Sequence, residues 1–306
     1  ILWLLFFGAL MGCARPNTTV FKNANVINIK TGEVQKMNIL VEDGFIRELS
    51  SKPLKGTKEV DLTGSFVMDY LFDMHAHLHG NPKILDVLWR FGVLGIRDTG
   101  AFTKSEIDSL RKWSRQKAPE NMISIVHSGN TYNGERCGVP QHRTISTKEQ
   151  VIEAIKFQKE MGAKFIKIHN CFPKELITFL TEISARNGIR VIGHIPEGYE
   201  PIEYMASGIS SVEHTDVLLR SLSYLEEPLS FVEAIGRLRG EYLDSLAISM
   251  KVNEVAQTMT LVAYENFIKQ GPEEQQQMGQ RVLKELQKIM YRLYKHDVLL
   301  LAGTDF

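Results

Sequence analysis

Residues 73–80 read Asp-Met-His-Ala-His-Leu-His-Gly and place two imidazoles, His75 and His77, two positions apart directly behind the apolar run Tyr70-Leu71-Phe72. In a β-strand the side chains of residues i and i+2 leave the backbone on the same side, so the two rings would stand together on one face. Neutral imidazole is a common ligand of divalent cations, and such a pair is half of a metal site. Taken alone it is equally what two surface or hydrogen-bonded histidines look like, because a site needs more than two ligands. Later strands must supply the rest.

Ligand-type residues do recur at strand ends. Lys167 lies within Phe165-Ile166-Lys167-Ile168, His194 follows Val191-Ile192-Gly193, His214 follows Ser211-Val212-Glu213, and Asp305 follows Leu301-Ala302-Gly303-Thr304. Residues 71–75, 95–98, 123–127, 165–168, 191–193, 211–213, 257–261 and 298–302 read as the strands that carry them and their neighbours. Amphipathic helical patterns fall between them, for example 105–113, 148–161 and 174–187, the last closing on Asn187-Gly188 as a C-cap. Eight strands alternating with helices predict an α/β fold of the TIM-like (β/α)8 barrel type over residues 71–306. In such a barrel all strands aim their C-terminal ends at one face, so ligands on strands 1, 4, 5, 6 and 8 converge there. The 90 positions from His77 to Lys167 (167 − 77) span about three βα units of roughly 30 residues each. Between 216 and 294 the spacing stretches into charged helical segments that read as an insertion on the barrel rim.

The rest of the chain narrows the partners. In 306 residues, Lys+Arg 36 balance Asp+Glu 36, so global charge recommends neither nucleic acid nor an anionic surface, and a small-molecule substrate is the expected partner, with a homo-oligomer left open. Residues 19–70 carry short strands and turns, Thr31-Gly32 and Asp43-Gly44, and predict a small β-sandwich domain. Residues 1–13 form an unbroken apolar run too short for a bilayer span, which takes about 20 residues. They read as the hydrophobic part of a secretory signal, and Leu10-Met11-Gly12-Cys13 resembles a bacterial lipobox. That resemblance implies lipid attachment at Cys13 and an exported protein tethered to a bacterial cell membrane. An ordinary signal peptide containing a cysteine is the alternative. Cys137 and Cys171 fit no metal-binding spacing; as two thiols of an exported protein they could pair, and they read as structural.

The paired histidines, the strand-borne lysine, the two single histidines and the final Gly-Thr-Asp, behind a small β-domain, resemble the amidohydrolase superfamily, in particular its imidazolonepropionase-like and prolidase-like members. The resemblance covers nearly all of residues 20–306. It implies two divalent cations, zinc first and manganese or iron as alternatives. His75, His77 and Asp305 would hold the more buried ion and His194 and His214 the second. Lys167, made a carbamate by CO₂, would bridge them; an ammonium has donors only and cannot ligate a cation unmodified. The implied activity is hydrolysis of a C–N bond in an amide, cyclic amide or dipeptide by a water shared between the ions, with Asp305 as the catalytic proton carrier. His79, His127 and His169 are candidates for substrate contact. His142 and His296 read as surface or loop residues.

Two features depart from the family. Where members carry Pro-Gly-Leu-Ile-Asp, residues 68–73 read Met-Asp-Tyr-Leu-Phe-Asp, and Phe306 directly follows the last ligand. Helix 8 and the strands completing the β-domain are therefore expected outside this sequence, and residues 14–306 alone are expected to be poorly soluble. Two further readings compete with amide hydrolysis: the same two-ion site acting on a lactone or phosphotriester, and a surface lipoprotein that keeps the barrel without catalysis.

Overall fold

A computed structural model describes residues 17–116, 123–225 and 227–306. It separates into two compact units, one ending at Asp69 and one running Tyr70–Phe306. Cys13 and the leader lie outside the described residues. No helix among the described residues is long and apolar enough to cross a membrane.

The first unit is a five-stranded sheet of β1 (Thr18–Ile27), β2 (Val34–Glu42), β3 (Phe45–Ser50), β4 (Lys58–Asp61) and β5 (Phe66–Val67). The order is β3-β2-β1-β4, with β5 also on β1. Asp43 and Gly44 both take positive φ, 49° and 82°, which is what a two-residue turn between twisted antiparallel strands demands.

The second unit carries the eight expected barrel strands in chain order: β6 (Leu71–Ala76), β7 (Val93–Asp98), β8 (Ser124–His127), β11 (Phe165–Ile168), β12 (Arg190–Gly193), β13 (Ser211–Glu213), β14 (Ala256–Met259) and β15 (Leu300–Ala302). Two short strands, β9 (Thr131–Asn133) and β10 (Arg143–Thr144), extend the rim beyond β8. All pairings in this unit are parallel, in the runs β6-β7-β8 and β10-β9-β11-β12-β13-β14-β15. Single backbone bonds join the runs. Lys164 N donates to His127 O at 3.0 Å on one side; Asp305 N to His75 O at 2.7 Å and His77 N to Phe306 O at 3.0 Å do so on the other. The seventh strand stops at Met259, two residues before the expected end, because Leu261 opens a helix.

The helices are α1 (Pro82–Arg90), α2 (Lys104–Trp113), α3 (Lys148–Met161), α4 (Ile177–Arg186), α5 (Pro201–Met205), α6 (Thr215–Ser221), α7 (Phe231–Arg239), α8 (Glu241–Val252), α9 (Leu261–Gln270) and α10 (Glu273–Lys295). Thr103 and Thr147 cap α2 and α3 through reciprocal bonds with Glu106 and Gln150, so both starts are set locally. The stretch 216–294 is divided by β14. Leu243, Leu246 and Met250 of α8 and Leu286, Ile289 and Leu293 of α10 are buried in the same core as Ile166, Val191 and Val212 of the sheet. These helices belong to the barrel's outer layer.

Candidate active site

β6 delivers its alternation as expected. Asp73, His75 and His77 share one side, and Asp73 and His75 are buried. Asp73 does the joining: its Oδ1 accepts from His75 N at 3.1 Å and Thr304 N at 3.1 Å, and its Oδ2 accepts from the Thr304 hydroxyl at 2.5 Å. The last strand end is thereby clamped to the first. Gly303 permits the approach, because a Cβ there would lie 2.6 Å from His75 Cβ.

Asp305 reaches inward from that clamp. Its Oδ1 lies 3.3 Å from His75 Nε2 and 3.5 Å from His77 Nε2, and its Oδ2 lies 3.6 Å from His214 Nδ1. Lys167 Nζ is 3.2 Å from His75 Nε2. The rings of His75 and His214 are 4.4 Å apart and those of His214 and His194 5.0 Å apart. The six residues therefore meet at one end of the barrel. Ligand atoms of His75, His77 and Asp305 all fall within 4.8 Å of one another. Asp305 and His214 hold positive φ, 56° and 70°, strain of about 1–3 kcal/mol each that surrounding contacts must sustain.

Hydrogen bonds fix which imidazole nitrogen is free. His75 Nδ1 donates to Glu213 Oε2 at 2.6 Å, His77 Nδ1 to Gly100 O at 2.9 Å, and His194 Nδ1 to Asn170 Oδ1 at 2.6 Å. With each Nδ1 carrying the proton, Nε2 keeps its lone pair, the form that binds a cation. His194 Nε2 is buried with no hydrogen-bond partner. His214 uses its Nδ1 toward the Thr260 hydroxyl at 2.8 Å. Three Nε2 lone pairs, one of them on the orphaned buried nitrogen of His194, and the Asp305 carboxylate are a donor set that fits a divalent cation.

Charges follow from the packing. Burial lowers Lys167 to about 8, against the pull of Glu213 and Asp305. Burial pushes Glu213 up, but Arg97 and then His75 outweigh it and hold the carboxyl well below its usual range. Asp305 is likewise raised by burial and brought far down by His75, His77 and His214. Burial and neighbouring imidazoles keep His194 and His214 neutral.

Several participants were not singled out from the sequence. Buried Arg97 donates to Glu213 at 2.8 and 2.9 Å, to Ser211 at 3.0 Å and to Thr258 at 2.8 Å. The signal available was a charged residue inside an apolar strand, the same signal Lys167 gives. His142, expected as a surface or loop residue, does lie in a loop but is half-buried, with its ring 4.8 Å from His169, whose ring lies 4.0 Å from His194. Its rim loop is linked by the Cys137–Cys171 disulfide to the segment that carries Asn170, which carries this loop histidine inward. Of the three candidates for substrate contact, His169 lines the cavity beside Asp305. His79 stacks on His77 at the exposed mouth, and His127 is fully buried with neither ring nitrogen partnered. His296 caps α10 and bonds Asp244 at 2.8 Å, away from these residues in the sequence of contacts.

A prolidase solved with N-methylphosphonate-L-proline superposes with a TM-score of 0.68 at 17% identity, covering 94% of this chain and 78% of that one. The chain therefore shares its fold with that hydrolase. Parts of its sequence also match curated proteins: an adenine deaminase of Desulfatibacillum aliphaticivorans is 38% identical over 66 residues (22% of this chain, 11% of that protein). A dihydroorotase of Ruminiclostridium cellulolyticum is 40% identical over 113 residues (37% of this chain, 22% of that protein). The matches thus span less than a quarter of these two curated relatives. No family model matches the sequence. In this fold the ligand-type side chains stand at the C-terminal strand ends, where barrel enzymes build their sites.

Proposed function

We propose that the chain is a metal-dependent hydrolase of C–N bonds, with His75, His77, Lys167, His194, His214 and Asp305 holding two divalent cations, zinc foremost. The carrying observation is the set of imidazoles whose Nδ1 protons are committed to Glu213, Gly100 and Asn170, leaving Nε2 of each as a ligand. When bound, such ions supply an acidified water and polarise a carbonyl. Asp305, held ionised, takes a proton at its carboxylate and returns it to the leaving nitrogen. Lys167 at about 8 is about one-quarter free amine at pH 7.5, against about one part in a thousand for an ordinary lysine. Only the free amine adds CO₂, so burial favours the carbamate form in which Lys167 would help hold the ions.

The domain scheme stands as part of this proposal: a signal over residues 1–13, a small β-domain over 19–70 and the barrel from 71. So does export with lipid attachment at Cys13, a reading with which the Cys137–Cys171 disulfide agrees, since such bonds persist in oxidising compartments. Metal analysis of the purified protein should find about two equivalents, with the ions and hydrolysis of an amide and dipeptide panel lost together in His75→Ala. A folded, metal-free protein inert on the panel would overturn the proposal.

A further inference from the structure

Two imidazoles that the proposed ligand set leaves out, His142 and His169, stand in line with one that it includes. The ring of His142 lies 4.8 Å from that of His169, and the ring of His169 lies 4.0 Å from that of His194. Burial deepens along the row: His142 and His169 are half-buried, and His194 is 4% exposed. The row leads from the rim loop to a buried nitrogen.

Each ring keeps a lone pair that is free or weakly held. His194 Nδ1 is committed to Asn170, and its Nε2 has no hydrogen-bond partner among the described residues. His169 Nδ1 is shut off from solvent and is also without one. His142 Nδ1 accepts only a long bond, 3.4 Å, from the Asn133 amide, whose orientation is set because its Oδ1 accepts from Cys171 N at 2.8 Å. Ring packing alone does not call for a buried nitrogen left unpaired, which loses water without compensation. Both outer rings are held from behind. His169 N donates to Tyr132 O at 2.9 Å, and the Cys137–Cys171 disulfide ties the loop that carries His142 to the segment that carries His169.

A hydrated divalent cation cannot enter a buried site bare, because water given up without replacement costs far more than a lost hydrogen bond. Successive neutral imidazoles remove that cost, each taking a coordination position as a water leaves. Resting on the metal-dependent hydrolase reading, we propose that His142 and His169 form an entry path that hands a divalent cation from the rim to His194. His142 captures the hydrated ion, His169 takes it over and His194 receives it. Such a path speeds entry and exit alike and leaves the affinity unchanged, whereas a resting ligand sets the affinity, mainly through release.

The test follows Zn²⁺ uptake by the full chain stripped with a chelator, in stopped flow against a fluorescent zinc indicator, and release from the loaded chain into excess chelator. The phase that belongs to His194 is the one that His194→Ala removes. In that phase His142→Ala and His169→Ala should slow uptake and release together, at least about tenfold, with Kd held within about threefold. Because the two act in series, the double variant should be about as slow as the slower single one. Matching melting temperatures show that the variants fold, and His169→Gln repeats the measurement with a polar side chain in place if His169→Ala melts early. Unchanged uptake rates, or a loss of affinity carried by faster release alone, would overturn the path. Wild-type protein that takes up no Zn²⁺ would remove the hydrolase reading and the path with it; normal uptake by wild type and variants alike would remove the path only.

Discussion

Two regions meet at the mouth of the barrel and are built on opposite principles. The floor, Arg97, Glu213, His75 and Asp73, is buried, and its charges are answered at hydrogen-bond distance: Glu213 by Arg97, Ser211 and His75, Asp73 by His75 and Thr304. In the arc running through His127, His169 and His194, His127 and His194 are buried and His169 half-buried, yet His127 Nδ1 and Nε2, His169 Nδ1 and His194 Nε2 have no hydrogen-bond partner among the described residues. Buried polar groups are normally paired, because an unpaired one loses water without compensation. The floor therefore holds charges in place, while the arc keeps lone pairs free at the expense of stability. At His169 and His194, which line the cavity, that freedom is what a ligand needs.

The floor depends most on Arg97. Arg97→Met leaves Glu213 without its countercharge in the interior and should lower unfolding free energy by about 3–5 kcal/mol, read from denaturant melts. A change under about 1 kcal/mol would mean that the floor is not held by this pair.

On the arc, pH is the probe. Burial lowers His127 to about 4 from an ordinary 6.5, so between those values the unfolded chain binds a proton that the folded chain refuses. Stability contributed by neutral His127 is present above pH 6.5 and is lost as pH falls toward 4, by about 3 kcal/mol in total. His127→Leu should flatten the stability curve across that window. An unchanged slope would show that His127 titrates normally.

A smaller effect concerns the proposed cations. Glu213→Gln should weaken binding at His75 about 10–100-fold, because a charged acceptor that raises ligand basicity is lost. Asn170→Ala removes only a neutral acceptor from His194 and should sit at or below the lower end of that range. Competition with a chromogenic chelator would rank the two, and the reverse order would place the stronger tuning on the arc.

How much of this was legible in the sequence depends on how far apart the partners lie. Strand periods are local, so His75 with His77, the eight barrel strands and the capped starts of α2 and α3 could be read directly. Lys167 stood out because a charge between three apolar residues has no easy route to water. Arg97 sends the same signal, but its meaning is Glu213, 116 positions away on a strand across the barrel. His142 was unreadable for a related reason. A histidine in a polar loop looks exposed until the disulfide at Cys137 and Cys171 and the contact with His169 bring it over the face.

By itself the sequence determined which residue types end which strands, and parallel connection then forces those ends onto one side, because each helix returns the chain to the start of the next strand. Tertiary packing set the rest: which nitrogen of each histidine keeps its lone pair, and that Asp73 clamps the last strand to the first. Those outcomes depend on distances of about 3 Å between elements remote in sequence, and a hydrogen bond falls off too steeply with distance and angle for order along the chain to fix it.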